Sequence, residues 1–399
     1  MQTRRTQVVV AGAGPVGSVA ATYLSRQGID VILAESAMDS AQDLRASTFH
    51  PPTLEMLATL GVTERLIETG LKAPVYHWRD RRSGEILSFD LTEIADVTAY
   101  PFRVQCEQYH LSRMLADTLE AEENTQVRFG HRVVYFEQDD TGVDVYLEHA
   151  TGIEKVRADY LIGADGANSI VRKWLNVEFD GFTYPERFLT LSTAWPIEDA
   201  LPGLAKVNYV SDPDEWQVLL RVPSLWRVLV PAPEESEAYL LSDEKKNAVF
   251  DGIMGDGAAV TTGHRTIYRV HQRVAKRFHK GRVLLVGDAA HLNNPLGGFG
   301  MNSGIHDAFN ACEKLSAIIN DGASADLLDL YDRQRRTVTF DFTQRQTIEN
   351  MEIMRGGQDE AHERRRDALR ILASDPEKRR SYLLRQAMYD SIGQAAAIS

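Results

Sequence analysis

A short β-branched run at residues 7–11 ends in Gly12-Ala13-Gly14-Pro15-Val16-Gly17, and a helical pattern follows to about residue 27. A run this apolar reads as a strand buried on both faces, which calls for a parallel sheet with helices packed on it. Gly12 permits the tight turn out of the strand. Gly14 lets a pyrophosphate approach the backbone, and Gly17 lets helix and strand pack closely. Pro15 and Val16 open the helix, whose first turn offers free N–H groups and a positive dipole end to phosphates. Gly28 closes that helix, a second strand is expected at 30–34, and Glu35 stands 18 residues past Gly17. A carboxylate there can accept hydrogen bonds from a ribose diol. The unit predicts a dinucleotide site without separating NAD from FAD.

Two further glycine-rich turns follow apolar strands. Tyr160-Leu161-Ile162 leads into Gly163-Ala164-Asp165-Gly166-Ala167-Asn168-Ser169, with Arg172 three residues on. Val283-Leu284-Leu285-Val286 leads into Gly287-Asp288-Ala289-Ala290-His291, then Pro295-Leu296-Gly297-Gly298-Phe299-Gly300-Met301-Asn302. The second of these strands delivers Asp288 to a crevice where a carboxylate can bind a polyol chain. Its glycines admit a flat ring, and a helix starting near residue 300 aims its positive end at that ring, as stabilising a ring anion requires.

Between these motifs, residues 181–279 are broken by seven prolines into short β-rich runs, with alternation over 215–221, and read as a second, mainly antiparallel sheet. The stretch from about 300 to 399 reads as helical and highly charged, with 362–370 as a solvated helix face. A net charge of −13 removes any global drive toward nucleic acid or anionic membranes. Two cysteines, Cys106 and Cys312, cannot build a disulfide framework, and a reduced, cytoplasmic setting fits them. No run of 18 apolar residues is present, so no integral membrane segment is expected. The eleven histidines show no HExxH spacing, so no metal site is expected. His291 reads as a structural histidine. Trp216, Trp226 and Tyr209 read as sheet core or pocket wall.

The three motifs, in this order and spacing, resemble the single-component FAD-dependent aromatic hydroxylases, the para-hydroxybenzoate hydroxylase-like flavoprotein monooxygenases, over most of residues 7–345. The resemblance implies an α/β fold: a Rossmann-like FAD-binding domain from 1–74, 101–180 and 280–345, an inserted β-sheet substrate domain from 75–100 and 181–279, and a helical C-terminal segment over 346–399. It implies that Gly12, Gly14, Pro15, Val16 and Gly17 cradle the FAD pyrophosphate, that Glu35 holds the adenosine ribose, and that Arg45 contacts the diphosphate. Gln108 and Asp288 match ribityl contacts. Asp165 matches a residue implicated in FAD and NAD(P)H binding. Gly298, Gly300, Met301 and Asn302 match the segment at the flavin pyrimidine edge, and Pro295 sits beside the flavin. Many relatives carry Pro-Pro or Thr-Pro and Gly-Gln-Gly where this chain has Asn293-Asn294-Pro295 and Gly298-Phe299-Gly300. That leaves the cofactor site intact and the substrate wall open.

The implied chemistry is hydroxylation of a small phenolic or N-heteroaromatic substrate by NADH or NADPH and O2, through a flavin C4a-hydroperoxide. Same-fold flavin chemistry such as epoxidation or ring opening is the alternative within enzymes, and a dinucleotide-binding regulator the alternative outside them. His271 is a candidate to reach the active site. Arg221 and Arg227, on the expected substrate sheet, are candidates to hold a substrate carboxylate between them. A homodimer is kept open.

Overall fold

The computed structural model describes residues 4–39, 46–232, 235–356 and 360–399. Its first sheet runs in the order His279–Lys280, Val283–Leu285, Gly152–Gly163, Arg4–Ala11, Val31–Ala34, Thr125–Arg128. The four pairings at its centre are parallel, and Gly142–His149 with Arg132–Asp139 extends it as an antiparallel flap. Val8, Val9 and Val10 are fully buried, as a central parallel strand covered on both faces requires. The helix Pro15–Arg26 covers one face, with proline at its first turn and Gly28 at a φ of 75° beyond its end. This is a Rossmann-like layer.

A second sheet of eight strands runs Tyr-rich and apolar in the order His291–Leu292, His264–Ala275, Phe179–Thr193, Leu225–Ala232, Gln217–Val222, Val207–Ser211, Val75–Asp80, Ile86–Asp90. Its pairings are antiparallel except that of Val207–Ser211 with Val75–Asp80. A small sheet of Thr48–Phe49, Arg103–Gln105 and Leu71–Ala73 is wedged between the two. The strand His291–Leu292 pairs with the second sheet directly after the third glycine motif, so one turn touches both layers.

The long helix Phe299–Asp321 packs on Pro15–Arg26, and Cys312 Sγ lies 3.7 Å from the carbonyl of Ala20. Within the region read as β, the structure has a helix, Asp243–Met254, capped by the Ser242 hydroxyl and closed by Gly255 at a φ of 82°. The C-terminal helices Glu360–Ser374 and Pro376–Gln386 lean on the second sheet and the small 3-10 turn at Leu91–Ile94, and Tyr389–Ala396 packs on Pro376–Gln386 and on the helix Asp326–Val338. The solvated face expected at 362–370 is present at Glu363, Arg364, Asp367 and Arg370, and the opposite side of the helix packs inward. His362 is buried, and Arg366 and Arg370 both bond the Glu85 carboxylate, at 3.1 and 2.7 Å. No helix of the described residues is long and apolar enough to cross a membrane.

Candidate functional site

A cleft of about 610 Å³ opens along the carboxyl ends of the parallel strands, where an open α/β sheet places its ligands. Gly12, Gly14, Pro15 and Val16 line it. Gly14 caps the helix with ordinary extended angles, φ −67° and ψ 178°, and a Cβ built on it meets nothing within 4 Å: it faces open cleft. Gly17 does not line the cleft. Its missing Cβ would stand 1.9 Å from the carbonyl oxygen of Gly12, so its role is packing the helix onto the turn.

Glu35 lines the far end. Its Oε2 accepts from the Ala13 N–H at 2.8 Å and its Oε1 from the Ala37 N–H at 2.8 Å, which fixes the carboxylate against the glycine turn. Oε1 also accepts from the Ser36 hydroxyl at 2.9 Å, so it is Oε2 that keeps a lone pair for a ribose hydroxyl. Gln108, first residue of the helix Gln108–Glu120, and Asp165 also face the cleft. Asp165 is committed structurally: its carboxylate accepts from the Ser169 hydroxyl at 2.5 Å and the Ile170 N–H at 2.7 Å. Arg45 lies outside the described residues. Its neighbour Ala46 faces the cleft.

A second cavity, of about 270 Å³, lies between the two sheets. Ala46, Asp288 and Met301 border both spaces, so the cleft leads into the cavity. Pro295, Gly298 and Gly300 form one wall, and Tyr209, Val218, Leu220 and Leu229 form the apolar sheet opposite. Gly298 has a φ of 71° and sets the entry to the helix Phe299–Asp321, whose N-terminus therefore meets the junction. Asn302 is fully buried beneath this turn. Its amide accepts from the His50 N–H at 2.9 Å and donates to Thr48 O at 2.8 Å and Gly298 O at 2.7 Å.

Below Asp288 a charged cluster is wholly buried. Asp307 Oδ2 lies 2.7 Å from His291 Nε2 and accepts from the Gly287 N–H at 3.2 Å, while its Oδ1 accepts from Arg335 Nε at 2.7 Å. Burial alone would raise the Asp307 carboxyl, but His291 and Arg335 outweigh it and hold it below the usual range. His291 is the structural residue expected of it. The sequence signal for its partner was an acid inside the apolar stretch at 301–315. Arg172, buried at 5% exposure, ties the second motif to the third by donating to Ala167 O and Ala289 O.

His271 faces the second cavity and its Nδ1 is 2.8 Å from Thr183 Oγ1. Burial, then Arg273 and Arg269, lower its imidazole pKa. Arg227 faces the same cavity, is 7% exposed and donates to Ser47 Oγ at 3.3 Å. Arg221 does not, which corrects the expectation of a shared arginine pair. Arg221 pairs in register with Trp226 and Arg227 with Leu220, so the two arginines leave opposite faces of the sheet. Arg221 lies 3.8 Å from the Glu198 carboxylate and donates to the Val222 carbonyl. Cys106, Glu107 and His110 bring ligand-type atoms within 4.8 Å of one another, a grouping the histidine spacing did not suggest. Burial raises that thiol to about 12.

Comparison with known proteins agrees with this geometry. A family model described as "FAD binding domain" matches residues 5–346. Para-nitrophenol 4-monooxygenase of Pseudomonas sp. (strain WBC-3) is 33% identical over 367 residues, covering 91% of this chain and 90% of that protein. 6-Hydroxy-3-succinoylpyridine 3-monooxygenase HspB of Pseudomonas putida (strain DSM 28022 / S16) is 33% identical over 339 residues, covering 83% and 84%. Among solved structures, p-nitrophenol 4-monooxygenase PnpA from Pseudomonas putida DLL-E4 superposes with a TM-score of 0.91 at 31% identity, over 98% of this chain and 99% of that one.

Proposed function

The chain belongs to the FAD binding domain family of flavin-dependent aromatic monooxygenases, and from that premise we propose that the first cleft holds FAD and the second cavity a small phenolic or N-heteroaromatic substrate. The observation that carries this reading is the junction: Ala46, Asp288 and Met301 line both the cleft and the cavity. The cleft fits the cofactor, with an open glycine N-cap for the pyrophosphate and a fixed carboxylate for the ribose. When bound, FAD accepts hydride from NAD(P)H and activates O2, so that one oxygen atom enters the ring and the other leaves as water.

The chain's own residues orient and shield. Gly12, Gly14, Pro15 and Val16 would hold the pyrophosphate, Glu35 the ribose, and Gln108 and Asp288 the ribityl chain. Gly298, Gly300 and Met301 would face the ring, with the helix N-terminus stabilising negative charge there. Asn302 keeps that turn in shape, and Asp165 acts by fixing the second glycine turn. Pro295 and the apolar sheet would exclude water. His271, held neutral, is able to accept a proton from a substrate hydroxyl. Arg227, not Arg221, would pair with an acidic or phenolate group. The two buried, unpaired thiols support a cytoplasmic enzyme.

The test is NAD(P)H oxidation by the purified yellow protein, screened against phenols and N-heteroaromatic acids with product analysis. Oxidation that yields peroxide and no hydroxylated product with any of them would count against the substrate class. Asp288→Ala is expected to weaken FAD binding about ten- to a hundredfold, the loss of a charge-assisted hydrogen bond. Equilibrium dialysis checks this, and unchanged affinity would remove Asp288 from the site. Arg227→Met is expected to raise KM for an acidic or ionised substrate by about tenfold or more. Arg221→Met, on the other face, is expected to leave KM within about twofold.

A further inference from the structure

Behind the wall of the second cavity, buried hydrogen-bond donors gather around a cation with no ion-pair partner among the described residues. Arg103 and Gln105 stand two apart on the strand Arg103–Gln105 and so share a face, while Val104 between them belongs to the core of the first sheet. The shared face turns to the second sheet. The Arg103 guanidinium lies 4.3 Å from the centre of the Tyr76 ring, and Tyr76 meets the cavity residue Tyr209 edge-on at 6.4 Å. Thr48, another cavity residue, donates to Gln105 Oε1 at 3.0 Å, which fixes the amide and turns Nε2 away.

Arg103, Gln105 and Tyr76 are 1%, 0% and 1% exposed. Arg103 Nε and Nη1 and Gln105 Nε2 find no hydrogen-bond partner among the described residues, while the Tyr76 hydroxyl is turned to that of Tyr382. A guanidinium stays protonated at every working pH, so this charge cannot be shed. Its neighbours do not cancel it. Burial pushes the Tyr76 phenol well above its ordinary pKa and Tyr382 up to about 12, so both are uncharged. Burial, then Arg103 itself, drives the His50 imidazole well below its usual value. The ring of Tyr76 offers a cation–π contact, which is weaker than the desolvation of an unpaired ion. Water could satisfy the N–H groups but supplies no charge.

We propose that Arg103, Gln105 and Tyr76 form a binding site for one compact anion, a halide or a carboxylate. Arg103 would supply the charge and two N–H donors, Gln105 Nε2 a further one, and the Tyr76 ring would back the guanidinium. The anion comes either from solution or as the acidic group of an aromatic substrate; only the second source rests on the monooxygenase reading.

Bromide is the probe. It is titrated into the FAD-loaded protein against sulfate at constant ionic strength, with the thermal midpoint read by circular dichroism, and soaked into crystals for anomalous diffraction. The expected result is a saturable rise in midpoint and an anomalous peak between the three side chains. Arg103→Gln is expected to weaken half-saturation by at least about tenfold. If that variant does not fold, Gln105→Leu takes its place, expected to weaken bromide several-fold. No peak and no saturable shift in the wild type overturns the proposal, as does a peak that survives Arg103→Gln with unchanged half-saturation. Benzoate distinguishes the sources: displacement of bromide assigns the site to a substrate acid, and coexistence assigns it to a free anion. Neither readout is turnover, so failure here leaves the monooxygenase reading standing, and failure of that reading leaves the bromide result standing.

Discussion

A Gly14→Val variant is expected to fold and to purify without FAD. The backbone at Gly14 has angles any residue adopts, and a Cβ there meets no protein atom within 4 Å. Valine is a poor N-cap, so the helix Pro15–Arg26 should lose about 1 kcal/mol, too little to unfold a domain of this size. The space the isopropyl group fills is the open cleft where the pyrophosphate must approach the backbone. Affinity should fall by more than a hundredfold, since both the close contact and the helix-end N–H groups are lost to the phosphates. Circular dichroism and flavin released on denaturation check the two halves. A folded variant with a full complement of flavin would move the phosphate loop elsewhere. Gly17→Ala makes the contrast. Its Cβ would stand 1.9 Å from Gly12 O, so it should damage the fold itself rather than only the cofactor site.

That contrast also explains what the sequence made legible. The glycine turns are local: each is fixed by a strand, two or three residues and a helix start, so Gly12, Gly14, Glu35 and Asp288 could be read before any packing was known. The arginine pair failed because an even separation guarantees a shared face only within one strand. Pro223 and Ser224 form the tip of a hairpin in which Val222 pairs with Leu225, and counting outward sets Arg221 opposite Trp226. Parity is reversed across such a tip. The helix Asp243–Met254 did carry signals, Ser242 before it and Gly255 after it, but the proline-broken runs up to residue 233 drew the reading toward strands. The bonds of Arg366 and Arg370 to Glu85 could not be read, because a partner more than 280 residues away leaves no trace in local pattern. Arg103 is the extreme case. One arginine in a three-residue strand says nothing until the fold closes Tyr76 and Gln105 over it.

Asp307→Asn is expected to cost about 3–5 kcal/mol of stability, because it leaves the Arg335 guanidinium buried without its counter-charge. The same carboxylate holds His291 at 2.7 Å and the Gly287 N–H at 3.2 Å. Gly287 precedes Asp288, so the variant should also release flavin more readily than the wild type at temperatures below its own melting point. Thermal unfolding checks the first effect and flavin fluorescence during the same scan the second. The pH dependence follows from the shifts. Asp307 titrates below its unfolded value near 3.9, so its contribution is fully present above that value and is lost only as pH falls through the lower, folded pKa. His306 behaves differently. Burial, then Arg335, lowers it to about 3, against about 6.5 unfolded. Between those values the unfolded chain binds the proton and the folded one does not, so stability declines as pH falls through that window. Wild type and Asp307→Asn should therefore both lose stability from pH 7 to 5, at nearly constant separation. A separation that widens as pH falls within that range would mean that the Asp307 carboxylate holds a proton in the folded enzyme, and that the buried cluster beneath Asp288 is held by neutral hydrogen bonds rather than by charge.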